Sequence, residues 1–287
     1  MPSTREIRRR IRGVKNIKQV TRAMNMIAAA RLRRAQQKAE SARPYAERLS
    51  EILKDVLGSG ISARHPLLAK RPVRRAALLL VTSDRGLCGG FNATNIREAT
   101  HFISGQSAGV GLITVGKKGR DHFRARGVTA DQHFSQPSRD VRLEELSPIT
   151  KQIIDDYGSG KYDQVFLGYS SFVSVLKSTP TVTQLLPIET PNRTDATSRA
   201  AFQFEPEAEA LLNTLLPQYV EVLIYRALVE SLASEQAARM IAMKAATDSA
   251  SEMIDNLTRD YNRVRQGSIT TQILEVVSGA EALEHAH

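Results

Sequence analysis

The chain has 287 residues, 41% of them hydrophobic and 5% aromatic, with no Trp and a formal net charge of +10, enough apolar content for one large domain or two ordinary ones. No run of eighteen apolar residues is present, which argues against a membrane-spanning helix, and the single Cys88 excludes an internal disulfide framework and points to a reducing compartment. The charge is lopsided: residues 1–43 hold thirteen Lys or Arg against Glu6 and Glu40, so one surface invites nucleic acid, anionic lipid headgroups or acidic protein loops, or is a solvated helix face.

Alternating four-three steps from Ile7 reach Ile11, Val14, Lys18, Thr21, Asn25, Ala28, Leu32, Ala35, Ala39, Ala42, Ala46, Leu49, Leu53 and Val56, and twelve of these fifteen positions are apolar. This heptad seam predicts a long helix that pairs with another. Because the heptads run unbroken past residue 40, the basic start reads as part of the folded chain and not as a transit peptide. Pro44 is expected to kink or interrupt the helix, since it removes a backbone donor and crowds the preceding turn. A second apolar stripe, Ile17, Val20, Met24 and Ile27, lies beside the seam where the seam turns polar at Lys18, Thr21 and Asn25. Either the seam drifts onto this stripe, or the stripe meets another protein.

After Gly58 and Gly60 an irregular link leads to a buried strand at Ala76–Thr82, a turn SDRGLCGGFN and a helix from about Ala93 to Ile103. A second strand is expected at Val110–Val115, then a basic helical piece to about Arg126. A helix capped by Ser147 with Pro148 at its first position should follow, ending at Tyr157. Gln164–Tyr169 reads as a third strand, and Thr181–Ile188 as a fourth at a sheet edge. Strands alternating with helices predict a Rossmann-like α/β domain with a mostly parallel sheet. Pro191–Ala200 is polar, and a return helix begins near Glu205, with a bend possible at Pro217.

That return helix carries its own seam, Val229, Ala233, Gln236, Met240, Met243, Thr247, Ala250, Ile254, Leu257, Tyr261, Val264 and Ser268. The proline-free stretch from Leu232 to Ala280 would be ~70 Å long as a helix, too long to be buried in a compact domain of this size. The expected architecture is therefore α/β, with a long antiparallel coiled coil of N- and C-terminal helices: residues 1–58 and 205–287 as the two helices, 59–75 as a linker, 76–204 as the α/β domain. Past Ser268 the seam shifts by one position to Ile269, Ile273, Val276, Ala280 and Leu283, so the last turns face something different.

No catalytic constellation emerges. Gly86, Gly89 and Gly90 lie between a strand and a helix, where phosphate-cradling loops occur, but their spacing matches neither dinucleotide nor P-loop patterns, and a structural turn is the better reading. Gly116, Lys117, Lys118 and Gly119 also end a strand, without a partner motif. The six histidines show no metal-ligand spacing, Cys88 reads as a small residue in a tight turn, and Asp84 as a local ion pair or helix cap.

IRRRIRGVKNIKQVTRAMNMIAAARLRRAQ (Ile7–Gln36), TSDRGLCGGFN (Thr82–Asn92), LASEQAARMIAMKAATDSA (Leu232–Ala250) and ITTQILEVVSGA (Ile269–Ala280) closely resemble the gamma subunit of F-type ATP synthases, over nearly the whole chain and in the family's order. One departure is Gln272, where the family usually has a glutamate. The resemblance implies a non-catalytic central rotor without cofactor or metal, turning inside a ring of three alpha and three beta subunits. It also implies an α/β foot beside the epsilon subunit and the membrane rotor (c) ring, and attachment to the cytoplasmic face of a bacterial membrane only through the complex. It places Met24 near acidic lever loops of the beta subunits, together with the Arg-rich face of Arg9 and Arg12. Arg265, Gln266 and Thr270 fall at positions of polar contact with beta loops, and Ile273, Val276, Val277 and Ala280 at an apolar bearing tip. Arg85, Gly86, Gly89 and Gly90 form the foot-domain turn. The redox insertion of chloroplast relatives is not seen.

Two rival readings remain. A nucleic-acid binder would use the basic first helix, but its cations interleave with a seam that starts at Ile7, leaving no unpaired basic arm. A nucleotide-binding enzyme would be built on the α/β domain around Gly89.

Overall fold

The computed structural model describes residues 3–58, 65–136, 141–189 and 208–284. The stretch Pro191–Ala200, the first part of the linker and the helix start at Glu205 lie outside the described residues. The chain divides into two compact units, Met1–Ile27 with Met240–His287, and Ala28–Arg239.

Helix α1 (Thr4–Gly58) and helix α5 (Ala208–Glu284) contribute to both units. In the first unit they run antiparallel. Arg8 Nη2 donates to Tyr261 Oη at 2.5 Å, Thr247 Oγ1 to Thr21 Oγ1 at 2.7 Å, and Asn25 Nδ2 to the Met240 carbonyl at 2.7 Å, so rising numbers on α1 meet falling numbers on α5. All fifteen predicted α1 seam positions are buried or half-buried, and so are the α5 positions from Val229 to Val264. Ser268 is exposed, so the seam ends one step earlier than expected.

The alternatives at Lys18, Thr21 and Asn25 are resolved by these bonds. Thr21 and Asn25 find partners across the helix pair, so the seam does not drift, and polar residues at seam positions pin register at some cost in stability. Ile17 and Val20 stay 57% exposed and Ile27 53%.

The second unit is built on a five-stranded sheet of order β3-β2-β1-β4-β5, from β1 (Arg75–Val81), β2 (Gly109–Val115), β3 (Gln132–Phe134), β4 (Gln164–Phe172) and β5 (Ser178–Leu186). The first four are mutually parallel; β5 lies at the sheet edge, as expected, and pairs antiparallel with β4. Successive side chains of β1 point to opposite faces, and both faces are covered, hence its unbroken apolar run. Leu79 and Val81 pack with α4 (Leu143–Gly158: Leu146, Ile153), α1 (Leu53, Val56) and α5 (Leu216, Val220, Ile224). Leu78 and Leu80 pack with α2 (Phe91–Gly105: Ile96, Ala99) and Phe123 of α3 (Lys117–Arg124).

Two local expectations are corrected: α1 is not interrupted at Pro44, and α4 does not start at Ser147. α1 runs through Pro44 without a break, because the proline is exposed while Ala42, Ala46, Leu49 and Leu53 around it pack inward, offsetting the lost bond. α5 likewise passes through Pro217. α4 starts at Leu143, with Arg142 as its N-cap and Glu144 and Glu145 in its first turn, where carboxylates suit the helix dipole; Ser147 caps nothing. β3, three residues long, was not foreseen.

Candidate functional site

The turn between β1 and α2 is held by its own side chains. Ser83 N–H donates to Asn92 Oδ1 at 3.0 Å, Asn92 Nδ2 donates to Ser83 Oγ at 2.7 Å and to Cys88 Sγ at 3.2 Å, and Ser83 Oγ donates to the Arg85 carbonyl at 2.5 Å. The chain reverses through positive φ at Leu87 (63°) and Gly89 (54°); the first is a strained conformation for a leucine, whose side chain is left 60% exposed. Cys88 is buried, and burial pushes its thiol pKa up, so it is a poor nucleophile.

Asp84 is a helix cap, though of α3 and not of its own helix. Its carboxylate accepts the Lys117 N–H at 2.9 Å, and Thr82 Oγ1 accepts the Gly119 N–H at 2.9 Å. Gly116, at φ 93°, could carry no side chain, since a Cβ would lie 2.1 Å from the Thr82 carbonyl oxygen. The N-terminus of α3, which could have cradled a phosphate, is thus filled by the protein's own oxygens.

In open α/β sheets ligands sit beyond the carboxyl ends of the strands at the switch in strand order, here between β1 and β4. That place is taken by α5. Ser234 Oγ donates to the Ser170 carbonyl of β4 at 3.2 Å, and Ser171 Oγ to Glu230 at 2.9 Å. Arg239 donates to the Gly86 carbonyl at 3.2 Å and pairs with Glu235 at 2.6 Å. Gln136 donates to Glu235 at 2.7 Å and accepts the Asp84 N–H at 3.2 Å. A closed circuit therefore runs from the turn through Arg239, Glu235 and Gln136 back to the turn. The ion pair is buried, its side chains only 10% and 5% exposed, and is supported on every side by hydrogen bonds, the condition under which such a pair is tolerated.

These three residues escaped the sequence reading. Glu235 and Arg239, four apart in a run of small and apolar residues, were the available signal, while Gln136 carried none. The predicted contact residues are distributed between the two units. In the first, Arg9, Arg12, Arg265, Gln266 and Thr270 are exposed and Met24 is half-buried; the Thr270 hydroxyl donates to the Gln266 carbonyl of its own helix at 3.0 Å. Ile273, Val276 and Val277 are 58%, 72% and 48% exposed. Ala280 lies in α5, with its side chain outside the described residues. In the second unit Arg85, Gly86, Gly89 and Gly90 are exposed on the turn. Among the described residues no group of three His, Cys, Asp or Glu could hold a metal ion, and no helix is long and apolar enough to cross a membrane.

The class defined by these features is an α/β domain whose switch-point crevice holds the chain's own terminal helix, in a chain whose two ends pair as antiparallel helices. A family model described as ATP synthase matches residues 3–283. The chain is 46% identical over 284 residues to the ATP synthase gamma chain of Pelotomaculum thermopropionicum, covering 99% of this chain and 100% of that one. Identity and coverage are the same for the ATP synthase gamma chain of Desulfitobacterium hafniense. Among solved structures it is similar to a chain from the central stalk and c-ring of the Tetrahymena thermophila mitochondrial ATP synthase, with TM-score 0.62 and 28% identity over 79% of this chain and 99% of that one. The chain belongs to the ATP synthase gamma chain family.

Proposed function

We propose that the chain is the central stalk of an F-type proton-translocating ATP synthase, rotating within the ring of alpha and beta subunits, and that it performs no chemistry itself. The observation that carries this reading is the antiparallel pairing of the two chain ends, with α5 continuing past Val264 as a helix whose side chains from Arg265 to Gly279 are all exposed. A helix pair pinned in register by cross-helix hydrogen bonds is asymmetric. By touching three identical pockets differently, it can hold them in different states, which is a coupling free energy carried by contact surface.

In this reading Arg9, Arg12 and Met24 meet acidic loops of the beta subunits, and Arg265, Gln266 and Thr270 make polar contacts with other beta loops. The apolar end of α5, from Ile273 to Ala280, turns in an apolar bearing. The α/β domain of residues 76–204, with the turn at Arg85, Gly86, Gly89 and Gly90, forms the foot beside epsilon and the c-ring. The two terminal segments, 1–58 and 205–287, form the shaft, joined to the foot through the linker 59–75. Attachment to the cytoplasmic face of the membrane then comes through the complex. The filling of the switch-point crevice by α5 supports the absence of a nucleotide site: calorimetry with ATP or NAD on the isolated chain should give no heat of binding. The deciding experiment is reconstitution with alpha and beta subunits. Co-purification and ATP-driven proton pumping that depends on this chain are expected, and pumping that survives its omission would overturn the reading.

A further inference from the structure

Residues 117–126 hold Lys117, Lys118, Arg120, Arg124 and Arg126 against a single carboxylate, Asp121. That carboxylate is already taken: Arg120 lies 2.9 Å from it and Arg124 3.7 Å, and these cations hold its pKa below the usual carboxylate range. Asp84, the acidic residue of the adjoining turn, caps α3 at the Lys117 N–H. Lys117 and Lys118 are exposed and form no salt bridge among the described residues, though the Lys118 charge also acts on Asp121. Two neighbouring histidines have lowered pKa values. Burial first and then the Arg126 charge lower the pKa of His122, and burial followed by Arg120 lowers that of His133.

We propose that this face, centred on Lys117 and Lys118 and flanked by Arg126 and the exposed Arg85 of the adjoining turn, docks an acidic loop of a neighbouring protein subunit. The chemistry selects a peptide over the other polyanions. Phe123, the only large apolar side chain of α3, is buried against α2, so α3 offers no apolar stripe to enter a bilayer and no free aromatic ring to stack a base; the exposed Leu87 of the adjoining turn is a single side chain, short of the apolar face that membrane binding needs. Eight helical residues span about 12 Å, the reach of a short loop and not of a nucleic-acid groove. The proposal rests on the chain working within an ATP synthase, and adds a surface separate from the α1 arginines.

The test is zero-length carbodiimide cross-linking of the assembled synthase, read by mass spectrometry. Lys117 or Lys118 should be joined to an Asp or Glu of another subunit. That cross-link should vanish in Lys117→Arg/Lys118→Arg, which keeps the charge but removes both amines, while the variant still co-purifies with alpha and beta; Lys117→Glu/Lys118→Glu should in addition weaken the contact by reversing its charge. An intact assembly without such a cross-link would overturn the proposal and leave the rotor reading standing; failure of the chain to assemble at all would overturn both. Protection of these lysines from acetylation in the isolated chain by anionic phospholipid vesicles, or by a DNA duplex, at physiological salt would replace the peptide by lipid or nucleic acid.

Discussion

The Glu235–Arg239 pair shows how a single side chain can fasten one segment to another. Arg239→Met would leave the Glu235 carboxylate buried with only amide partners, and loss of one member of a buried pair costs about 3–5 kcal/mol. A large drop in the denaturant midpoint is expected for that variant, and a much smaller one for Glu235→Leu/Arg239→Met, which removes both charges. Equal losses in the two variants would mean that packing and not charge pairing sets the cost. Gly116→Ala should be comparably severe, because its Cβ would lie within 2.1 Å of a backbone oxygen in a left-handed conformation. Cys88 offers a pH test. Its thiol pKa is raised by burial, so the reactive thiolate forms only at a pH above that for a free cysteine. Alkylation of the folded chain by iodoacetamide near pH 8 should therefore be slow and should accelerate on unfolding.

At the scale of the elements, what was legible follows from periodicity. The α1 and α5 seams could be read because burial against one partner repeats every 3.5 residues over many turns, and the central strands because both their faces are covered. What could not be read was set by distant contacts. Ser147-Pro148 imitates a helix start, yet α4 begins a turn earlier because Leu146 packs into the core and Glu144 and Glu145 favour its first turn. Gln136 and Glu235 meet across 99 residues of sequence, and no local pattern announces such a pairing. The polar seam positions carry their own expectation. In Asn25→Leu the helix pair gains apolar burial but loses the bond to Met240, so stability should rise while register loosens. Disulfide trapping in a Thr21→Cys/Thr247→Cys background, where two short side chains meet at 2.7 Å, would report this: one dominant cross-linked species with Asn25 present, and a lower yield in the leucine variant. An unchanged yield would deny Asn25 a pinning role.

For the molecule as a whole, coupling and folding should separate. Met24→Lys puts a cation at a half-buried position on a helix face that already holds exposed Ile17, Val20 and Ile27, so the fold should survive. In the reconstituted synthase it should lower the protons pumped per ATP hydrolysed, with unfolding shifted by under about 1 kcal/mol, as for most exposed sites. An unchanged pumping ratio would argue against the placement of Met24 at a beta contact.

The last turns of α5 carry a further consequence. Ile269, Ile273, Leu274, Val276 and Val277 are between 46% and 72% exposed, a greasy strip that water tolerates poorly. A cell that made this polypeptide in excess of its companions would expose that strip to other copies, and clumping would follow. Balanced synthesis, or prompt covering of the strip by partner subunits, is thus what these five aliphatic side chains call for.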